Sequence, residues 1–480
     1  MSNLIPAHLH CDELFLLIGT NTLPNWVAAQ LLVKPKGTAH LVYTSGVRKH
    51  AERLKAILEE EQKPRPEAER IKIFWFETAE ADSRKIFDDV RRHAEGLSGV
   101  IGLNYTGGTK MMSVHAHRAI SDLGREEKGL APSLSYLDAR SLQMRFDYPN
   151  GGEFDISLDG RIRIGIEKLL RLHDDYPDLK INTGDRAPRP RCIPATQSLI
   201  GIHSRYSGQR IWRYWCDNLK VGKLDLRRLK EEQPKTYHNE VQQLNRKSFL
   251  TREKFSEKVK RHLEHPDQPD EPENEHTRLN PRDVQRHLEK IVLAYVDLLA
   301  ELRVNDDHSL QAAVRNGSGE FADVLELAKW LDGMWLEHYT FAQLQSIAGD
   351  CSIAGDCSIA QNEMAFGLEV ANREGRRFEA DVIAIRGYQL FYISCYTGSE
   401  PSRSKQKLFE ALERATQLGG DEAKVGLVCN TDSPVKLRQE CEARWKSFAS
   451  NQIEVFGRED LPVLADEFKR WFKGERRKGR

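Results

Sequence analysis

Between Glu13 and Tyr148 short apolar runs alternate with helical patterns, and this alternation constrains the fold more than any other feature of the chain. Residues 14–18, 41–43, 71–76 and 100–103 read as strands. The stretches 24–32, 47–58, 84–93 and 111–123 carry helical periodicity. Near-continuous apolar strands separated by helices predict a parallel, doubly wound sheet covered on both faces. Residues 134–137 and 144–146 follow as closing strands, a candidate hairpin. In open sheets of this kind ligands lie beyond the carboxyl ends of the strands. Three polar, glycine-containing loops fall at that edge: Gly19-Thr20-Asn21, Thr44-Ser45-Gly46 and Thr106 to Lys110.

The last of these loops is the most informative. In Gly102-Leu-Asn-Tyr-Thr-Gly-Gly-Thr-Lys-Met-Met112 an apolar strand ends in two adjacent glycines, and Thr109 and Lys110 open a helix. Adjacent glycines let backbone approach a ligand closely. The helix start offers unpaired N–H groups and a positive dipole end, and Lys110 adds a full charge, a combination suited to phosphate. It is not a Walker A loop, because Gly108 stands where the lysine belongs. A dinucleotide site is disfavoured too. No GxGxxG follows the first strand, and no acidic residue ends the second at Tyr43-Thr44. His115 and His117, two apart on a helix, face different ways and read as structural.

The 480 residues exceed one ordinary core, and the pattern divides them into 1–150, a connector and helical middle region over 151–318, and 319–480. With 72 basic and 72 acidic side chains, net charge identifies no partner, and any nucleic-acid surface is a local patch. No apolar run reaches the roughly 18 residues of a membrane span, and the start of the chain lacks a secretory pattern. The eight cysteines are scattered without a CxxC pair, which fits a reducing cytoplasm. A strand and a basic helix over 153–175 leave the first domain, followed by a Pro/Arg-rich connector at 177–194. The Arg/Trp/Tyr-rich segment 205–215 is a candidate stacking surface for single-stranded nucleic acid or a packing segment. Residues 224–262 read as a charged helical face, 265–275 as an acidic linker, and 281–302 as a core or interface helix. Ser346-Ile-Ala-Gly-Asp-Cys351 is duplicated at 352–357 and reads as a lengthened surface loop.

The C-terminal third has the order helix (329–339), strands (366–370, 378–385, 390–395), helix (405–418), strand (425–429), that of a compact α/β nuclease core. Asp381 interrupts an apolar strand, where a carboxylate is expected to be paired or metal-bound. Glu379, Glu363 and Glu337 are candidates to join it. Clustered carboxylates hold Mg²⁺ or Mn²⁺, which activates water against a phosphodiester. A nearby lysine would steady the developing charge.

The Asn104-Tyr-Thr-Gly-Gly-Thr-Lys-Met-Met112 run after a Rossmann-like start resembles the CARF domain of CRISPR ancillary proteins. The C-terminal part resembles the PD-(D/E)XK domain of CARF-linked nucleases, through Trp335-Leu-Glu337 and the strand aspartate Asp381. The likeness covers about residues 1–150 and 320–430. It implies a homodimer that binds one cyclic oligoadenylate, cyclic tetra-adenylate foremost, across its two-fold axis. Gly19, Thr20, Asn21, Thr106, Gly107, Gly108, Thr109 and Lys110 match the pocket loops, and Thr44, at the carboxyl end of the second strand, is a further candidate contact. It further implies activation of a Mg²⁺- or Mn²⁺-dependent nuclease that cuts DNA, RNA or both in type III CRISPR antiviral defence. Asp381, Glu337 and Glu379 would be the metal-binding carboxylates. The chain departs from the family where Glu-x-Lys is expected, carrying Ser394-Cys395-Tyr396 instead. Serine is a poor metal ligand and tyrosine carries no charge at pH 7. Either the lysine has moved to the next helix, as Lys405 or Lys407 with Glu410 one turn on, or the domain is a degenerate sensor module. In the second reading the basic tail at 476–480 and the 205–215 segment hold nucleic acid.

Overall fold

The computed structural model describes residues 5–126, 132–138, 141–147, 153–158, 160–174, 299–304, 310–314, 330–348, 363–371, 377–444 and 452–475, with isolated positions between them. The expectations for 177–194, 201–215, 224–262, 265–275, most of the duplicated segment and the basic tail lie outside the described residues.

The protein is a mixed α/β chain with two principal sheets. The first is built from β1 (Cys11–Leu17), α1 (Leu23–Leu32), β2 (Val33–Tyr43), α2 (Arg48–Gln62), β3 (Lys72–Glu77), α3 (Ser83–Ala94), β4 (Ile101–Asn104), α4 (Lys110–Glu126), β5 (Ser133–Asp138), β6 (Gln143–Asp147) and β7 (Glu153–Ser157). Its seven strands run in the order β3-β2-β1-β4-β5-β6-β7. The first five are mutually parallel, and β6 and β7 close the edge antiparallel. The segment expected to leave this domain at 153 instead pairs with β6, so the sheet runs on to Ser157. Strand order reverses between β1 and β4, which makes the gap beyond their carboxyl ends the switch point.

Period-two alternation along β1 explains the two-sided covering. Phe15 and Leu17 face one apolar cluster with Ile86, Val90, Met112 and Ile120. Leu14 and Leu16 face another with Trp26, Leu41, Leu54 and Leu58. That second cluster does not stop at the domain edge. It continues through Leu169, Leu170 and Leu172 of α5 (Ile166–His173) to Ile385, Leu390, Leu408 and Leu427 of the C-terminal domain. The two sheets therefore share one apolar interior, with α5 as the wedge.

The C-terminal domain comprises α6 (Trp335–Ser346), β10 (Met364–Ala371), β11 (Arg377–Arg386), β12 (Gln389–Tyr396), α7 (Pro401–Gly419), β13 (Lys424–Cys429), α8 (Pro434–Arg444), β14 (Ile453–Phe456) and α9 (Leu464–Phe472). Its five-stranded sheet has the order β10-β11-β12-β13-β14. The first three strands form an antiparallel meander, and α7 crosses over to lay β13 parallel to β12.

Two expectations about helices change. Residues 299–302, expected to end a helix over 281–302, instead belong to β8 (Leu299–Val304), paired antiparallel with β9 (Leu310–Val314), and 281–298 lie outside the described residues. The sequence between these strands, Asn-Asp-Asp-His-Ser, is rich in turn-forming residues, and cross-strand pairing overrides the helical period. The amphipathic helix expected over 329–339 starts as a π-helical turn, Trp330–Met334, and α6 continues to Ser346. Glu337 is thus in the first turn of α6 rather than near the carboxyl end of its helix. Among the described residues no helix is long and apolar enough to cross a membrane.

The turn after β4 is held against β1 with no space to spare. A Cβ at Gly107 would lie 2.2 Å from the Leu17 carbonyl oxygen, well inside contact. Gly107→Ala is expected to lower stability by about 1–3 kcal/mol, the usual range for overpacking, read as a drop in the urea midpoint at constant m. An unchanged midpoint would show that the turn relaxes freely.

Candidate functional site

At the switch point the loops after β1 and β4 touch. A Cβ on Gly19 would stand 3.2 Å from the Gly108 backbone nitrogen. Gly108 has φ +75°, in the left-handed region that favours glycine. The polar side chains of the loop staple it. Asn104 Oδ1 accepts from the Thr106 amide (3.3 Å), and Thr106 Oγ1 accepts from the Leu137 amide at the carboxyl end of β5 (2.7 Å). Thr109 Oγ1 accepts from the Met112 amide (3.2 Å), capping α4, and donates to the Glu80 carbonyl (3.0 Å). The threonine hydroxyls are thus spent on shape. What is left exposed at this turn is Lys110, the first residue of α4, with Met111 beside it.

The remaining loop residues divide. Thr20 is exposed beside Gly19, as a ligand contact requires. Thr44 is buried, and its carbonyl accepts from the Val47 amide. Asn21 is already occupied: its Oδ1 accepts from the Leu23 amide (3.1 Å) and its Nδ2 donates to Glu422 Oε2 of the C-terminal domain (2.8 Å). Sequence reasoning missed Asn25, wholly buried in α1. It donates from Nδ2 to the Leu17 carbonyl (2.8 Å), and its Oδ1, without a hydrogen-bond partner, lies 3.2 Å from where a Gly107 Cβ would be. An asparagine among the apolar residues of an otherwise buried helix was the available signal.

The second site centres on Asp381. On β11, Glu379 and Asp381 are two apart and share a face. Across the ladder Gly367 adopts φ +57°, and a Cβ there would sit 3.2 Å from Glu379 Oε1. From β12, Ser394 Oγ (3.1 Å) and the Cys395 amide (2.7 Å) both donate to Asp381 Oδ2. Glu337 approaches from α6, and Thr340 one turn on receives the Cys395 thiol (3.4 Å). Burial, then repulsion from Asp381 and Glu379, pushes Glu337 up to about 9, against the pull of Lys407. Burial likewise raises Asp381, opposed by its two hydrogen-bond donors and by Lys407 and Arg414. Burial and the two carboxylates raise the Cys395 thiol well above its ordinary range, so it is a neutral donor here.

Not every sequence candidate reaches this cluster. Lys405 points the other way and pairs with Glu440 of α8 (2.7 Å), whereas Lys407, two residues on, acts on both half-buried carboxyls, Glu337 and Asp381. Residues two apart on a helix diverge, so only one of them can serve. Glu363 lies at the far end of the β10–β11 ladder, 3.7 Å from Arg163, and the Glu410 carboxylate accepts from Gln406 (3.0 Å). Arg414, seven residues beyond Lys407 on the same face of α7, was missed. It donates to the Glu379 carbonyl (3.3 Å), lies 5.4 Å over the Phe378 ring and acts on Asp381.

In donor chemistry Asp381, Glu337 and Glu379 suit a hard divalent cation, being oxygen ligands whose mutual repulsion Lys407 and Arg414 only partly offset. Ser394 does not supply a further carboxylate, and its hydroxyl instead positions Asp381. Among the described residues, no group of three or more His, Cys, Asp and Glu side chains is assembled to hold a metal ion.

A Rossmann-like sheet with a glycine turn at its switch point, followed by a second mixed sheet carrying a half-buried carboxylate, defines the architecture. No family model and no curated protein matches the chain. Solved structures with the same fold include protein VC1899 from Vibrio cholerae, 15% identical with a TM-score of 0.54 over 96% of this chain and 98% of that one. Another is Can2 from Sulfobacillus thermosulfidooxidans in complex with cyclic tetra-adenylate, 15% identical with a TM-score of 0.53 over 97% and 98%. At this identity the likeness is one of fold.

Glu337 keeps its proton to about pH 9 when folded, against an ordinary value of 4.5. The folded state then binds more protons than the unfolded one between those values, so stability falls as pH rises through that window. Glu337→Gln is expected to flatten the fall, leaving the variant more resistant to urea than the parent at pH 8.5 and similar to it near pH 4.5. Parallel pH profiles for the two proteins would contradict this.

Proposed function

We propose that this chain senses a cyclic oligoadenylate, cyclic tetra-adenylate foremost. As a homodimer it would answer with metal-dependent phosphodiester hydrolysis of DNA or RNA in type III CRISPR defence. The observation that carries the reading is the Gly107-Gly108 turn, pressed against β1 at the switch point with α4 and Lys110 opening outward. Its chemistry is that of an anion cradle. The whole-length likeness of fold to Can2, whose structure contains cyclic tetra-adenylate, supports it. Support for a second copy comes from Met111 and Val114 of α4, 38% and 60% exposed beside Lys110. A cyclic ligand with repeated phosphates can present equivalent groups to two chains related by a two-fold axis.

In the C-terminal domain Asp381, Glu337 and Glu379 would hold Mg²⁺ or Mn²⁺. When bound, such an ion polarises a phosphodiester and lowers the pKa of water. Ser394 and the Cys395 amide fix the Asp381 carboxylate. Lys407 supplies the positive charge that the missing Glu-x-Lys lysine would have given, and it balances the charge of a scissile phosphate. A second reading, a sensor that binds the same messenger and signals through nucleic-acid or protein binding, is favoured by Ser394 in the place of a carboxylate. Loss of that carboxylate weakens metal binding without touching the messenger site.

Calorimetry with cyclic tri-, tetra- and hexa-adenylate is expected to show binding of the tetra-adenylate at one ring per two chains, weakened at least tenfold by Lys110→Ala. An unaltered affinity in that variant would refute the cradle. Plasmid and single-stranded RNA incubated with Mn²⁺ and the messenger should be cut by the parent and not by Asp381→Ala. Equal products from both would remove Asp381 from the chemistry, and binding without cleavage would leave the sensor reading.

A further inference from the structure

Asn21 belongs to the messenger-facing loop by sequence, yet its side-chain amide serves a residue 401 positions later. Glu422, its acceptor, is 4% exposed. The Glu422 carbonyl in turn accepts from Gln389 Nε2 (2.9 Å), at the first position of β12. That strand carries Ser394 and Cys395, which grip Asp381. Glu422 also lies just beyond Gly420, where α7 ends with φ +75°, and α7 carries Lys407 and Arg414. The junction is packed to contact: a Cβ on Gly420 would meet Asn21 Nδ2 at 2.7 Å, and Glu422 Oε2 and His173 Nε2 at 2.8 Å each. On the other side Gly19, two residues before Asn21, abuts the Gly108 amide. One short series of contacts therefore leads from the glycine cradle to both elements that hold the acidic cluster.

The charges give this series a direction. The cradle is built for an anion, and the nearest residue of the C-terminal domain bonded to its loop is a buried carboxylate. An anionic messenger in the cradle repels Glu422 and competes for the Asn21 amide, so it binds better when the two are apart. A ligand shifts a conformational equilibrium only through such a difference in affinity between the states.

We propose that the Asn21–Glu422 hydrogen bond is a latch that holds the C-terminal domain in its resting arrangement and that messenger binding opens it. This rests on the functional reading above, and it adds the route by which the two sites communicate. By linkage, weakening the latch acts on both sites in the same sense. Asn21→Ala raises cleavage without messenger several-fold and tightens messenger binding by a similar factor, and the ratio of stimulated to resting rate shrinks. Glu422→Gln keeps a hydrogen-bond acceptor and removes the repulsion. Its resting rate stays near that of the parent while the messenger stimulates it less.

The test measures resting cleavage, saturated cleavage and messenger Kd for the full-length parent, Asn21→Ala and Glu422→Gln, with thermal unfolding confirming that each variant is folded. Raised resting cleavage with tighter binding in Asn21→Ala, together with reduced stimulation in Glu422→Gln, supports the latch. Weaker binding with an unchanged resting rate in Asn21→Ala would make Asn21 a messenger contact and overturn it. Parental values throughout both variants would overturn it as well. A parent that neither binds the messenger nor cleaves would overturn the functional reading and the latch together, and the parent's own data distinguish that case from the others.

Discussion

The turn at Gly107-Gly108 can exist only because two side chains are missing. Any Cβ at Gly107 collides with the Leu17 carbonyl, and Gly108 takes up a backbone conformation that costs other residues energy. That close approach locks the end of β4 onto the end of β1, sets where α4 begins, and places Lys110 and the first turn of α4 at the reversal in strand order. Thr106 and Thr109 complete the shape by bonding to Leu137, Met112 and Glu80. The loop is therefore largely shaped before any ligand arrives, so little ordering entropy opposes binding.

The two sites set opposite electrostatic problems. The N-terminal cradle gathers positive potential from amides and a lysine and leaves it facing outward. The C-terminal cluster gathers carboxylates in a partly buried recess and leaves their repulsion only partly relieved by Lys407 and Arg414. A group left in that condition is held ready for a cation or a proton, and burial of such groups is costly unless something repays it. The shared apolar interior running through α5 makes the two recesses parts of one packed body. Thr22 Oγ1 donates to the Leu172 carbonyl (2.7 Å) and Arg53 to the His173 carbonyl (2.7 Å), pinning the wedge to α1 and α2, which cover the first sheet.

Much of this was legible in the chain itself. The strands of the first sheet announce themselves because a buried parallel strand is apolar on both faces. The glycine pair marks its turn by composition, and Asp381 stands out as a charge among Val382, Ile383 and Ile385. What stayed hidden depended on partners far away in sequence. Nothing local distinguishes Lys405 from Lys407; only the packing of α7 on β12 and β13, with α8 beside it, decides which lysine meets the carboxylates. Asn21 looks like a loop ligand until Glu422 is brought to it. The periodicity that predicted a helix to residue 302 was outweighed by pairing of Leu299–Val304 with Leu310–Val314.

The most direct test of the central claim, that an anion gripped at the glycine turn is felt at the Asp381 cluster, is amide hydrogen exchange with and without cyclic tetra-adenylate. The account predicts slowed exchange over residues 19–21 and 106–112, together with altered exchange in 389–396 and 401–422. Protection confined to the first group would mean that the two sites do not communicate, and no change in either would mean that the turn does not hold the messenger.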